Sequence, residues 1–238
     1  MKAMILAAGL GTRLKPFTNK HPKALALVNG KSLLQRNIEY LQNFGIKEVI
    51  VNVHHFPDQI ISSIKTNKGF GSEVTTSNET QEVLETGGGL KKASWFFKGT
   101  QPFILMNVDV LTDMDMSLMI KQHITQKPLA TIAVTTRITS RYFLFDELEN
   151  LCGWKNENTG EQKMSKEVPV SVKKAFSGIH IISPEIFSLM NPERKFSIVD
   201  VYLELSKTHS ITAFDHSTSK FVDVGKPESI AVAERLFE

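Results

Sequence analysis

Residues 4–13 constrain this chain more than any other stretch. Met4-Ile5-Leu6-Ala7-Ala8 is an apolar run without a charge, and Gly9-Leu10-Gly11-Thr12-Arg13 follows at once. A short run of that kind predicts a buried strand, the type found inside a parallel sheet with both faces covered. Two glycines one residue apart, directly after such a strand, let the backbone turn tightly and present bare N–H groups. N–H groups in a concave loop hold anions, phosphate above all. Thr12 adds a hydroxyl, and Arg13 a forked cation suited to phosphate oxygens. Pro22-Lys23 brings a point charge shortly downstream. Strand, glycine turn and two cations together predict a polyphosphate site. Two better-known loops are excluded by spacing. A Walker A loop ends in Gly-Lys-Ser/Thr, whereas Gly11 is followed by Thr12-Arg13. A dinucleotide fingerprint needs a third glycine, and Leu14 stands in its place.

The joint pattern from Leu6 to Leu14, then Pro16, then Pro22-Lys23 resembles the signature of sugar-1-phosphate nucleotidylyltransferases. The resemblance implies that Leu6, Ala8, Gly9, Gly11 and Thr12 wrap a nucleoside triphosphate. It also implies that Arg13 and Lys23 neutralise the phosphates.

The 238 residues suffice for one large α/β domain, and no linker interrupts them. With 28 cations against 25 anions, the net charge of +3 is too balanced to argue for nucleic acid. One cysteine, Cys152, permits no intrachain disulfide and suits a reducing compartment. The N-terminus lacks the features of a secretory signal, and no window approaches a membrane span. Cytoplasm is the expected location, with no membrane partner.

Further along, Ser32 predicts an N-cap, and Leu34, Ile38 and Leu41 recur at helical spacing until Gly45. Residues 48–53 are rich in β-branched side chains and predict a second buried strand. Strand, helix, strand in that order is a right-handed βαβ unit. Helices are expected at 58–64, 90–97 and 118–123, and strands at 73–76, 103–106 and 130–135. From about Arg137 the character changes to antiparallel hairpins around the turn-forming residues 156–160. Residues 162–168 are polar and predict a mobile segment. A strand over 175–182, a helix over 196–205 and short strands at 211–214 and 220–222 follow. Pro227 opens a closing helix with Ile230, Val232, Ala233 and Leu236 on its apolar side. Trp95-Phe96-Phe97 reads as core.

Asn107-Val108-Asp109 directly follows the apolar run 103–106. In open parallel sheets, ligands bind at the carboxyl ends of strands, and a carboxylate there suits Mg²⁺ beside phosphates. Asp113 and Asp115 follow closely and compete for the same role. Asp223, in Phe221-Val222-Asp223-Val224-Gly225-Lys226-Pro227, sits at a second strand end. The family resemblance makes Asp109 and Asp223 the two ligands of one Mg²⁺, with Arg13, Lys23 and Asp109 catalytic. Leu84-Glu85-Thr86-Gly87-Gly88-Gly89 predicts a glycine loop ahead of the helix at Leu90. In the family this loop packs against the base, which assigns Thr86, Gly87 and Gly88 to the nucleotide. Glu79 falls in the slot that reads the base edge, with Glu82 and Glu85 as weaker candidates.

Phe176-Ser177-Gly178-Ile179-His180 resembles the family strand that faces the sugar, which implies Asn107, Ser177 and Gly178 as substrate contacts. Many relatives carry Glu-Lys-Pro nearby, but Glu167-Val168-Pro169 lacks that lysine, which leaves Lys173 and Lys174 open as phosphate contacts or as a solvated cluster. His54-His55 predicts a loop role rather than metal binding, and Cys152 reads as buried filler.

These features imply an α/β Rossmann-like nucleotidyltransferase fold, similar to glycosyltransferase A, with a mixed, mostly parallel sheet flanked by helices. They divide the chain into a nucleotide half over residues 1–115 and a sugar half over 116–238. Within the family, the likeness is greatest to the N-acetylmuramate-1-phosphate uridylyltransferases of peptidoglycan recycling, using UTP. Mannose- and heptose-1-phosphate guanylyltransferases look similar, and residues 141–174 are where acceptors would differ. A cytidylyltransferase for an alcohol phosphate and a non-catalytic nucleotide-sugar sensor stand as rivals.

Overall fold

The computed structural model describes residues 1–99, 101–190 and 195–237. β1 (Lys2–Leu6) leads into a loop with three turns of 3-10 helix, the first at Thr12–Leu14 and the last at Lys23–Leu25. β2 (Leu27–Val28) and β3 (Lys31–Ser32) form a small hairpin. Ser32 accepts the Gln35 N–H at 3.1 Å and caps α1 (Leu33–Gln42). β4 (Glu48–Val53), α2 (Pro57–Thr66) and β5 (Glu73–Asn78) complete two parallel crossovers. α3 (Glu85–Lys92), β6 (Phe103–Asn107), β7 (Val110–Thr112), α4 (Met116–Gln126) and β8 (Ala130–Thr135) follow.

The antiparallel part is β9 (Arg141–Phe145), β10 (Leu151–Asn156), β11 (Gln162–Met164) and the long β12 (Val172–Ile182). α5 (Ile186–Leu189), α6 (Ile198–Leu205), β13 (Ile211–Asp215), β14 (Phe221–Asp223) and α7 (Pro227–Leu236) complete the chain.

The main sheet is mixed and runs β11-β10-β9-β12-β6-β1-β4-β5, with β8 against β12 and β13 against β8. Its centre is parallel: β1 pairs with β4 on one edge and β6 on the other. Alternation explains the uninterrupted apolar runs. Ala3 and Ile5 face a core layer with α1, α2 and α4, together with Val49, Val51, Ile104 and Met106. Met4, Ile50, Phe103 and Leu105 face the opposite layer, under α3 and α6. A strand covered on both sides has no polar face to show.

The sheet and its flanking helices agree with the sequence. Four local expectations do not hold. The helix expected at 90–97 begins at Glu85, so the glycine run lies inside α3, and residues Ser94–Phe97 are a separate 3-10 turn. Phe97 is core, stacked on Phe103 at 4.0 Å, whereas Trp95 is half exposed. Residues 162–164 are strand β11, paired with β10 rather than loose. On α7 only Ala233 is fully buried, and Val232 and Leu236 are exposed. Cys152 is buried, as expected, and burial pushes its thiol pKa up. Among the described residues no helix is long and apolar enough to cross a membrane.

Three buried histidines hold the second half together. His123 meets Thr131 Oγ1 at 2.9 Å, His180 meets the Tyr202 hydroxyl at 2.9 Å, and His216 meets Ser177 Oγ at 2.7 Å. Burial lowers their pKa values from 6.5 to about 4, about 3 and about 4 respectively. A histidine kept neutral in the fold binds fewer protons than in the unfolded chain between those values and 6.5. Its contribution is complete above pH 6.5 and is lost as pH falls toward 4. The thermal midpoint is therefore expected to drop steadily from pH 7 to pH 4, and His180→Gln to flatten that decline. A variant curve parallel to the wild type's would show that protonation of His180 does not drive the loss.

Candidate active site

The parallel ladder places three strand ends side by side. Leu6 is opposite Asn52 of β4 and Asn107 of β6. A cavity of about 280 Å³ opens over these ends, as expected for a ligand site in an α/β sheet. Leu6, Ala8, Gly9, Gly11 and Thr12 line it, as do Arg13 and Lys23. Glu79 after β5, Thr86 at the start of α3, and Asn107 and Asp109 at the end of β6 line it from the other side.

Gly11 cannot be another residue without local rearrangement. Its φ is +61°, and a Cβ there would stand 2.8 Å from Thr18 Cγ2 and 3.0 Å from Lys23 Cβ. Thr18 Oγ1 and the Leu14 N–H both donate to the Gly11 carbonyl, at 2.9 and 2.8 Å. The turn thereby seats Lys23 close to the strand end. The Lys23 ammonium donates to Asp109 Oδ2, and both side chains are mostly buried.

Asp223 reaches the same place from the far end of the chain. β14 pairs with β7 so that Asp223 lies opposite Val110, and the Val224 N–H donates to the Asp109 carbonyl at 2.8 Å. Arg13 Nη2 is 4.0 Å from Asp223 Oδ1. Burial and the Asp109 charge raise the Asp223 carboxyl pKa, against the pull of Lys23, Arg13 and Arg137. Two carboxylates that repel each other, flanked by cations, offer hard oxygens of the kind that hold a divalent ion. Asp113 and Asp115 do not join them. Asp113 accepts the Lys220 N–H at 2.7 Å, and Asp115 caps α4 through Ser117. Among the described residues no group of three or more His, Cys, Asp or Glu is placed to hold a metal, so any ion at this site rests on the pair.

Several expected contacts lie elsewhere. Gly87 and Gly88 do not line the cavity. Their N–H groups donate to the Phe196 carbonyl at 3.0 and 3.1 Å, and a Cβ on Gly87 would stand 2.5 Å from the Phe196 ring. These glycines let α3 approach the chain before α6. Thr86, beside them, accepts the Ile198 N–H at 2.9 Å while still lining the cavity. Ser177 is buried, with its hydroxyl on His216. A bulge in β12 between Phe176 and His180 shifts the alternation there. Gly178 does lie against Asn107, whose Nδ2 would be 2.7 Å from an added Cβ. Lys173 is paired with Glu157, and Lys174 with Glu149 and Asp215. His54 and His55 have loop roles, bonded to the carbonyls of Glu79 and Thr18.

Glu79 is buried, and its carboxylate serves the framework. Asn52 Nδ2 donates to Oε1 at 2.8 Å, and the Leu84 N–H to Oε2 at 3.3 Å. Burial raises its pKa. Asn52, which sequence reasoning missed, also accepts the Ala7 N–H at 2.7 Å. It therefore joins the glycine loop, β4 and the entry to α3. One signal for it was present: a lone amide among Val49, Ile50, Val51 and Val53. Arg137, near Asp223, was missed as well.

A protein-family model described as nucleotidyl transferase matches residues 2–150. The chain belongs to the nucleotidyl transferase family. It is 31% identical to an N-acetylmuramate alpha-1-phosphate uridylyltransferase of Caulobacter vibrioides, over 99% of this chain and 97% of that one. It is 28% identical to a mannose-1-phosphate guanyltransferase of Yarrowia lipolytica, over 100% of this chain but 64% of that longer protein. Among solved structures, HddC from Yersinia pseudotuberculosis, complexed with GMP-PN, superposes with a TM-score of 0.78 at 28% identity, covering 100% and 99% of the two chains. The cavity thus belongs to a nucleotidyltransferase.

Asn52→Ala is expected to orphan the Ala7 N–H and Glu79 Oε1, at about 1–3 kcal/mol for each buried group. Urea denaturation reads the loss, and an unchanged midpoint would rule out the bridging role.

Proposed function

We propose that this chain transfers a uridylyl group from UTP to a sugar 1-phosphate, N-acetylmuramate 1-phosphate in the first instance, and releases pyrophosphate. The observation that carries the reading is the meeting of Arg13, Lys23, Asp109 and Asp223 at the end of the central parallel strand. Similarity over almost the full length of the Caulobacter uridylyltransferase supports the donor and acceptor. We read residues 1–238 as one domain, with the nucleotide held by 1–115 and the sugar by 116–238. A cytoplasmic role in peptidoglycan recycling fits this assignment. A guanylyl donor is the second reading, favoured by the likeness to HddC and to the mannose-1-phosphate guanyltransferase.

The reaction is one in-line displacement. An oxygen of the acceptor phosphate attacks the α-phosphorus, and the bond from that phosphorus to the β-phosphate oxygen breaks. Pyrophosphate leaves with the electron pair. The attacking phosphate is already anionic, so no protein base is required. The chain supplies position and counter-charge. The glycine loop holds the triphosphate by its N–H groups. Lys23 holds the α-phosphate, and Arg13 stabilises the departing pyrophosphate. Gly178 and Asn107 orient the sugar. Asp109 and Asp223 fit Mg²⁺, which when bound supplies polarisation of the α-phosphate.

Pyrophosphate release from each nucleoside triphosphate with a panel of sugar and alcohol phosphates tests the assignment. UTP with N-acetylmuramate 1-phosphate is expected to be turned over fastest. Preference for GTP would move the chain to the second reading, and tight nucleotide binding without turnover would make it a sensor. Asp109→Asn and Arg13→Ala are each expected to lower turnover by at least about a hundredfold. Near-normal rates in either variant would remove that residue from the catalytic machinery.

A further inference from the structure

We propose that Arg137 grips an anionic oxygen of the acceptor substrate and governs acceptor binding, an assignment that rests on the sugar 1-phosphate reading above. Three buried side-chain polar atoms among the described residues have no hydrogen-bond partner: Thr135 Oγ1, Arg137 Nε and His216 Nδ1. All three fall in one place. Thr135 ends β8, Arg137 is two residues on, and the His216 N–H donates to the Val134 carbonyl at 3.0 Å. Buried polar groups are costly to leave unpaired, and three so close together call for a physical reason.

The spot lies on the acceptor side of the site. Arg137 Nη2 donates to the Phe176 carbonyl at 2.7 Å, one residue before Ser177-Gly178. Its guanidinium carbon stands 5.0 Å from the centre of the Phe221 ring, two residues before Asp223. The Arg137 charge is felt at Asp223 and at His216. These two contacts fix the guanidinium and leave Nε–H without a partner. Among the described residues, Arg137 forms no ion pair within 4.0 Å. Its charge is uncompensated by direct contact with a carboxylate.

The lysines that might have served are engaged. Lys173 is 2.7 Å from Glu157, and Lys174 is 2.8 Å from Glu149 and 3.4 Å from Asp215. Glu167-Val168-Pro169 carries no lysine. A guanidinium N–H and a threonine hydroxyl form a donor set that suits carboxylate or phosphate oxygens. His216, neutral near pH 7 through burial, adds a hydrogen-bonding nitrogen without a second charge. The group bound is either the acceptor's 1-phosphate or a carboxylate on its sugar.

The test uses the full chain with Arg137→Gln and Arg137→Lys, and Lys173→Gln as the control. Donor and acceptor KM are measured separately by pyrophosphate release. Acceptors with and without a sugar carboxylate are compared, a non-reacting one being scored by its inhibition constant. Arg137→Gln is expected to weaken acceptor binding roughly tenfold or more, the scale of a charged hydrogen bond, with donor KM within about twofold. Lysine is expected to restore it only in part, because it lacks the Nε–H. Equal weakening of both acceptors assigns the phosphate, and weakening of the carboxylate-bearing one alone assigns the carboxylate. Unchanged acceptor KM in an active Arg137→Gln enzyme overturns the proposal, as does an equal rise in both KM values. A wild type that turns over no sugar 1-phosphate overturns the acceptor reading itself, and this assignment with it.

Discussion

The pairing of β1 with a parallel neighbour on each edge is the constraint on which the remainder depends. Its register sets Leu6 level with Asn52 and Asn107, so three chain segments leave the sheet at one height. The glycine turn, the Asn52 bridge and the Asp109 loop are consequences of that level. Because helices cover both faces, β1, β4 and β6 spend nearly every side chain on burial. Chemistry is left to the residues just beyond the strand ends, which is where loops on a rigid sheet place it.

The site balances two acids against a small group of cations. Lys23 satisfies Asp109 directly, while Arg13 and Arg137 reach Asp223 only at longer range. The two carboxylates are therefore unequal. One is paired, and the other has its protonated form favoured by burial and by its neighbour. An arriving polyphosphate with a divalent ion would supply charges of both signs and redistribute these contacts.

The strands and most helices were legible because apolar periodicity reports burial directly, as at residues 48–53, where sequence and structure agree to the residue. The glycine run was not. Local propensity reads Gly87-Gly88-Gly89 as a breaker, yet a distant carbonyl at Phe196 takes two of its N–H groups, and the crowding there admits no side chain. Ser177 misled for a related reason. A bulge, invisible in a single sequence, turns its hydroxyl toward His216. Glu79 was placed at the cavity correctly, but its oxygens belong to Asn52 and Leu84, a network that only tertiary packing assembles. That Asp109 and Asp223 meet was legible from their positions at strand ends. Arg137 occupies a similar position, and nothing in its immediate sequence set it apart.

The Phe196 carbonyl that caps Gly87 and Gly88 has a consequence for how the chain can be divided. It comes from the later half and secures a helix of the earlier one, as β12 does for the open edge of β6 and β14 for β7. A fragment stopping near residue 115 would expose a hydrophobic sheet margin at β6 and leave those amides without their protein acceptor. The two parts of the chain therefore share one sheet and one core margin, and neither carries a complete set of backbone partners without the other.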